Sequence, residues 1–308
     1  MAKVPPSSAS QKRVGSIRIG ISGWRYRPWR GTFYPAKLAQ NRELSFASSH
    51  FNSIELNGSF YSLQRPESFQ KWFDETPDNF QFSVKAPRFI THVRRLRQVE
   101  TPLANFFAQG LLRLGAKLGP ILWQFPPNFR FDEAQLEAFF QLLPHTHKQA
   151  AELAKKHDER MDGRSWLKVS KDRKLRHAIE IRNDSFVCDT FVQLLRKYRV
   201  GLVVADTVEW PRLMDVTTDF VYCRLHGSEQ LYASGYSPQA IQEWAHRVRA
   251  WSSGQEVEDG VHASAIPARK RTSRDVFVYF DNDIKVRAPV DAQSLSDTIR
   301  EATQSWMA

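Results

Sequence analysis

The sequence predicts a single-domain α/β fold, a TIM-like (β/α)8 barrel, and three observations carry that prediction. Eight short runs rich in β-branched and aromatic residues punctuate the 308-residue chain. The gaps between successive runs have room for a helix, which is the rhythm of a βα-repeat protein. Nearly every run ends in polar or ionisable residues, and in such barrels chemistry sits where the strands end. The length suits one barrel of roughly 250 residues plus loops.

The strands are expected at Ile17–Gly23, Ser53–Asn57, Gln81–Pro87, Ile121–Pro126, His177–Arg182, Gly201–Asp206, Phe220–Gly227 and Val276–Asn282. Between them, Pro66–Thr76 opens with proline at a permitted first-turn position and repeats Phe69, Trp72 and Phe73 at helical spacing. Leu103–Leu118 keeps an apolar stripe. Asp132 is placed to cap Glu133–Leu143, which Pro144 ends. Ser185 can start the helix that carries Leu194 and Leu195, Ser237-Pro238 opens another through Trp251, and Ser294–Trp306 closes the wall. The sixth unit is the weakest, because only Trp210–Val216 follows Asp206, too short for a full helix. The barrel is expected over residues 17–307, with aperiodic, charge-rich loops at 145–176 and 252–274 that lack the apolar residues of a core.

Side chains two apart on a strand share a face. Glu55 and Asn57 therefore oppose Ile54 and Leu56, and Glu180 and Arg182 oppose Ile179 and Ile181. Tyr222, Arg224 and His226 oppose Val221, Cys223 and Leu225, while Ser83 and Lys85 oppose Phe82 and Val84. The apolar sets must pack under the helices, so the polar sets face the barrel interior. Unpaired buried charge is costly, so these groups either pair with one another, as in a lattice of Glu180 with Arg224 or Glu55 with Lys85, or meet a ligand. Two loops add to the mouth. One, SGWRYRPWRGTFYP, interleaves Trp24, Tyr26 and Trp29 with Arg25, Arg27 and Arg30; packing is the expected role of the two tryptophans. The other, PRFITHVRRLR, carries Arg88, His92, Arg94, Arg95 and Arg97.

Charge and composition bound the class. The formal charge of +11 is concentrated in three windows, Met1–Ser16 with +3, His145–Arg176 with +5 and Val261–Arg274 with +4. Both internal windows precede a strand, so they are expected on the face opposite the chemistry, as solvated surface. The N-terminal residues 1–16 read as a disordered basic arm without the apolar core of a secretory signal. No apolar run approaches the roughly 20 residues of a membrane-spanning helix. Cys188 and Cys223 are far apart and lack a CxxC partner, which fits small buried hydrophobes in a reducing, cytoplasmic setting.

The blocks GISGWRYRPWRGTFYP, IELNGSFY, FSVKAPRFITHVRRL, LGPILWQFPPNF, YCRLHG and VFVYFDND resemble the YecE-like family, domain of unknown function 72, from about Ile17 to Ala292. The resemblance implies a TIM-like barrel and lends no reaction. The chain departs from the family pattern where Asn183 replaces a usual His, Phe186 a usual Trp, and Asp281-Asn282 a usual Asn-Asn.

Three function classes follow. The first is an enzyme (hydrolase, lyase or isomerase) acting by acid/base chemistry on a small anionic, sugar- or phosphate-bearing substrate. Glu180, Asp206 and His226 would move protons; Lys85, Arg182 and Arg224 would hold the anion; Glu55, Asn57, Gln124 and Asn282 would orient the rest. Lys85 could also serve as a Schiff-base nucleophile, anion contact being its first role. Phosphate-loop and dinucleotide fingerprints are missing, so no cofactor is expected. A divalent metal on Glu55, Glu180, Asp206 and His226 is the variant reading, opposed by the Lys and Arg at the same mouth. The acid pair of a two-carboxylate glycosidase is absent. The rival classes are a nucleic-acid-binding protein or nuclease using the aromatic and basic mouth, and a non-catalytic ligand sensor.

Overall fold

A computed structural model describes residues 14–227 and 231–304. Eight parallel strands close into a barrel in sequence order: β1 (Ile17–Ser22), β2 (Ser53–Leu56), β3 (Gln81–Lys85), β4 (Leu118–Gln124), β5 (His177–Glu180), β6 (Gly201–Asp206), β7 (Phe220–Leu225) and β8 (Asp275–Phe280). Closure is by β8 against β1, in register from Ile17 opposite Val276 to Ile21 opposite Phe280. Gly20 sits where β1 and β2 run closest: a Cβ there would stand 1.8 Å from the Ser53 carbonyl oxygen.

The alternation sorts residues as expected. Ile54, Leu56, Phe82, Val84, Ile179, Ile181, Val221, Cys223 and Leu225 all belong to the large core between barrel and helices. A second, smaller cluster of Leu122, Ala178, Val203, Phe220, Tyr222, Phe277 and Tyr279 fills the barrel itself. The Tyr279 hydroxyl lies 2.6 Å from Ser53 Oγ and 2.7 Å from Ser83 Oγ, tying three strands together inside. Tyr279→Phe would leave a buried serine hydroxyl short of a partner. We expect a loss of about 1–3 kcal/mol in urea denaturation. A variant as stable as the parent would mean the bridge contributes nothing.

Strand β4 begins three residues earlier than expected, at Leu118, and contains Pro120. The reason is a register shift: Phe82 pairs with Leu118 but Val84 with Ile121, so β4 carries one extra residue at Gly119-Pro120. A bulge is where a strand tolerates a missing N–H. Helices occupy the other expected places. Asp132 accepts from Gln135 N and Ser237 from Ala240 N, so both expected caps form. The third-unit stripe divides at Gly110 (φ 107°) into a helix, Glu100–Ala108, and a tighter turn, Leu111–Lys117. The helix expected from Ser185 begins instead at Asp189, because Ser185 Oγ is engaged by Phe131 N. The closing helix is Arg287–Gln304, earlier than expected; Trp306 lies outside the described residues.

No helix forms between β6 and β7 among the described residues. The 252–274 loop packs there instead. Leu213 bridges to Val261, Asp215 accepts from Ala263 N and Ser264 N, and Arg196 donates to the Ile266 carbonyl.

Two expectations need correction. The 145–176 segment is not an aperiodic loop: it contains the helix His147–Ala154, and Ala150, Ala151, Ala154, Met161 and Leu175 are part of the main core. Its basic end does lie at the strand starts, with Lys174 on Asp219 and Arg176 on Asp275. The expected arm is anchored at its end, Gly15 N donating to the Ser252 carbonyl and Ser16 to Asp275; residues 1–13 of it lie outside the described residues.

Candidate functional site

At the strand ends, β7 aims Arg224 into the barrel, and its guanidinium becomes the hub of the interior. Nε donates to Glu55 Oε2 (3.1 Å), Nη1 to Glu180 Oε2 (2.6 Å), and Nη2 to Glu55 Oε1 (3.0 Å), Asp281 Oδ2 (2.7 Å) and Ser22 Oγ (3.2 Å). Five strands or strand ends thus meet on one side chain that is 0% exposed. The acids are further held from their other sides. Glu55 accepts from Tyr222 OH at 2.6 Å and from Ser22 Oγ, whose partner on the next loop is Asn57 Nδ2 at 3.3 Å. Glu180 Oε1 accepts from Gln124 Nε2 and Arg182 Nε, both at 2.8 Å.

Burial alone would raise the carboxyls of Glu180 and Asp281. Arg224 and Arg182 instead hold Glu180 well below the usual carboxylate range, and Arg224 with His226 does the same for Asp281. Burial likewise works against the Arg224 charge, but Asp281, Glu180 and Glu55 outweigh it and raise its pKa. This part of the interior is a closed ion-pair lattice in which three carboxylates share the two guanidinium charges of Arg224 and Arg182.

Above the lattice the balance reverses. Lys85 ends β3 with its ammonium 4.3 Å from the Phe60 ring centroid. Among the described residues no carboxylate lies within ion-pairing distance of it. Burial and then the neighbouring Arg224 lower its pKa to about 8, against a partial pull upward from Asp281, Glu55 and Glu180. Arg182, beyond its bond to Glu180, donates to Tyr232 OH (3.2 Å) and lies 4.1 Å over Trp210. His92 packs edge-to-face with the same Phe60, ring centroids 5.2 Å apart. Burial, followed by the charges of Lys85, Arg182 and Arg88, lowers its pKa to about 4, so it is neutral at pH 7. At the β8 end, burial and the adjacent Asp281 raise the Asp283 carboxyl to about 6.

The arrangement unites Glu55, Lys85, Glu180, Arg182 and Arg224, with Gln124 and Asn57 beside them. It also separates several residues from their expected roles. Arg224 has its donors committed to carboxylates and cannot receive a ligand anion. His226 lies inside, its Nδ1 3.1 Å from Asp281 Oδ2, beneath the rings of Trp210 and Tyr232. Asp206 faces the other way: Ala205 pairs with Arg224 and shares its inward face, so Asp206 points to the helix side and binds Arg212 at 2.7 Å. Asn282 is also on the outer face, donating to Asp291 and to the Ser234 carbonyl. The suggested metal set is therefore not assembled. Arg224 stands between Glu55 and Glu180, Asp206 is turned away, and no group of metal-ligating side chains forms among the described residues.

Sequence reasoning put Ser22 on the inward face of the first strand, where it is found, but missed Asp281, Asp283, Tyr232 and Trp210. Asp281 shares parity with Tyr279, and that was the signal available. Trp24 and Trp29 pack in the core, while Arg25 and Arg27 are exposed and Arg30 pairs with Glu43. Asn183 caps a turn, its Oδ1 accepting from Ser185 N.

These features define a closed parallel eight-stranded barrel with a charged interior site at the C-terminal strand ends. The chain belongs to the family described as protein of unknown function DUF72, whose model matches residues 18–307. It is similar to the UPF0759 protein YunF of Bacillus subtilis, 36% identical over 118 residues, which is 37% of this chain and 41% of that protein. It is also similar to the UPF0759 protein YecE of Escherichia coli, 32% identical over 123 residues, 35% of this chain and 43% of that one. The matched stretches thus span about two fifths of those relatives. Among solved structures, a DUF72 family protein from Thermotoga maritima aligns with a TM-score of 0.69 at 22% identity, covering 92% of this chain and 99% of that one. Another from Enterococcus faecalis aligns at 0.65 and 19%, covering 92% and 95%. At these identities they attest the fold alone. No described helix is long and apolar enough to cross a membrane.

Proposed function

We propose that the mouth binds a small anionic molecule, sugar- or phosphate-bearing, and that the barrel acts on it by acid/base chemistry. The observation that carries this reading is the Lys85 ammonium, seated on Phe60 with no carboxylate against it; it acts with Arg182 and Arg88 on the neighbouring His92. Each acid below it is hydrogen-bonded to a guanidinium and none pairs directly with Lys85, which leaves its ammonium open to a ligand anion. Arg182, held by Glu180, Tyr232 and Trp210, offers pre-positioned donors. Asp283, raised to about 6, is the carboxyl suited to exchange protons near neutrality, and neutral His92 can accept or donate a hydrogen bond. The Arg224 lattice serves as the rigid floor.

The test is a calorimetric titration of orthophosphate and a set of sugar phosphates. Arg182→Lys and Lys85→Met should each weaken binding by roughly one to two decades, the worth of one charge-assisted contact. Neutralising the exposed Lys270 and Arg271 should change it less than about twofold, because exposed charges are screened. Affinity should fall as pH rises through about 8, where Lys85 loses its proton. Equal weakening by all three changes, steepening with salt, would overturn this reading in favour of nucleic-acid binding.

A further inference from the structure

We infer that Lys85 is an amine nucleophile that forms an imine with an aldehyde or ketone carried by a small anionic compound. The inference rests on the anion-binding reading of the mouth and adds the chemical class of the substrate and the atom that attacks it. Four features support it.

First, the amine is nearly buried yet reachable: Lys85 is 9% exposed. Second, it is uncommitted. Every acid that shares the interior is engaged elsewhere, Glu55 and Asp281 by Arg224, and Glu180 by Arg224 and Arg182. A lysine that serves only stability in such a place is normally paired. Third, its surroundings favour the neutral form. Phe60 lies under Nζ, and burial with the Arg224 field brings its pKa to about 8. At pH 7.5 such an amine has about two orders of magnitude more free base than an ordinary lysine near 10.4. Desolvation beside another cation is an established way to activate an amine.

Fourth, open space borders the same ring. Phe60 is also a wall of an open groove of about 790 Å³, further lined by Arg88, Phe89, Val93 and Arg94. Lys85 itself does not line the groove, so a carbonyl compound would reach Nζ past the Phe60 ring, with its anionic end on the groove's arginines. The β3 terminus is held still for this, since Ser59 Oγ donates to the Lys85 carbonyl oxygen at 2.7 Å.

The step balances without an oxidant or a metal. The Nζ lone pair bonds to the carbonyl carbon while the C=O π pair moves to oxygen. A proton passes from nitrogen to that oxygen, giving the carbinolamine. A second proton delivered to the hydroxyl lets it leave as water, as the nitrogen lone pair closes the C=N bond and leaves a protonated imine. His92, neutral at pH 7 and packed edge-to-face with Phe60, is the group we assign to relay those protons.

The test treats the full chain at pH 7.5 with pyridoxal 5′-phosphate or with uncharged pyridoxal, reduces with cyanoborohydride and maps the modified peptides. We expect Lys85 to be modified at least tenfold faster than any other lysine, faster by the phosphorylated aldehyde than by pyridoxal, and protected by orthophosphate. Lys85→Arg should lose that adduct while still binding orthophosphate, which also certifies its fold. Labelling spread over exposed lysines with no preference for Lys85 overturns the imine; if orthophosphate still binds, the anion reading survives. Preferential labelling of Lys85 by both aldehydes equally, without phosphate protection, upholds the amine and overturns the anion site.

Discussion

Replacing Arg224 with methionine is expected to cost about 3–5 kcal/mol, the penalty for removing one partner from a buried ionic cluster. In a domain of this size that corresponds to a fall of roughly 10 °C in melting temperature. The size follows from what remains. Glu55, Glu180 and Asp281 would stay inside the barrel without the guanidinium that binds all three. The pH dependence distinguishes this cause from lost packing. In the parent, the depressed carboxyls of Glu180 and Asp281 contribute stability that is present above about pH 4, the unfolded-state range, and is lost as pH falls through their lower folded values. In the variant, burial without compensation raises those carboxyls, so mild acid relieves it by protonating them. The stability gap between parent and variant should therefore narrow from pH 7 to pH 5. Thermal denaturation across that range checks it. A variant melting within 2 °C or so of the parent at pH 7 would show that the lattice is not a structural keystone.

The barrel was legible because a strand that is polar on one face and packed on the other writes its parity into the sequence. Ile54 and Leu56 against Glu55, or Cys223 and Leu225 against Arg224, could be sorted without coordinates, and the structure sorts them the same way. Legibility failed where both faces are apolar. In Gly201–Asp206 the inward residues are Gly201, Val203 and Ala205, small or aliphatic like their neighbours, so nothing marked Asp206 as outward. At the end of β8 the choice between Asp281 and Asn282 turned on a single residue, and parity with Tyr279 decides it. Pairing is harder still. Which of Lys85, Arg182 and Arg224 would take up the acids depends on the reach of each side chain across the barrel. Arg224 does so with its fork of donors, leaving Lys85 free. The helix His147–Ala154 was hidden for another reason: its packing face is alanine, Ala150, Ala151 and Ala154, which fits closely against a neighbouring helix while adding little hydropathy.

That alanine face leads to the second large effect: excising Lys148–Lys174 is expected to abolish cooperative folding. From the sequence, this stretch reads as a dispensable charged insertion. Loop closure would not be the obstacle, since Thr146 already bridges to Lys174 and Leu175 N donates to the His145 carbonyl, so the cut ends are adjacent. The cost comes from packing. The segment covers the helix Glu100–Ala108, whose residues from Leu103 to Ala108 are all buried. Asn105 and Asp158 exchange two hydrogen bonds, Asn105 Nδ2 to Asp158 Oδ1 at 2.9 Å and Asp158 N to Asn105 Oδ1 at 3.1 Å. Trp166 N donates to the Ala108 carbonyl at 2.7 Å, and Arg164 reaches the Leu63 carbonyl at the groove's edge. Uncovering that face, with the loss of Met161, removes several kcal/mol of burial from a fold whose net stability is of the order of 5–15 kcal/mol. A graded partner keeps the comparison quantitative: Met161→Ala, at a fully buried position, should cost about 2–5 kcal/mol and leave folding cooperative. Circular dichroism melts and urea titrations of both variants check these outcomes. A deletion variant that still unfolds in one sharp transition, within about 1 kcal/mol of the parent, would return the segment to the status of an appendage.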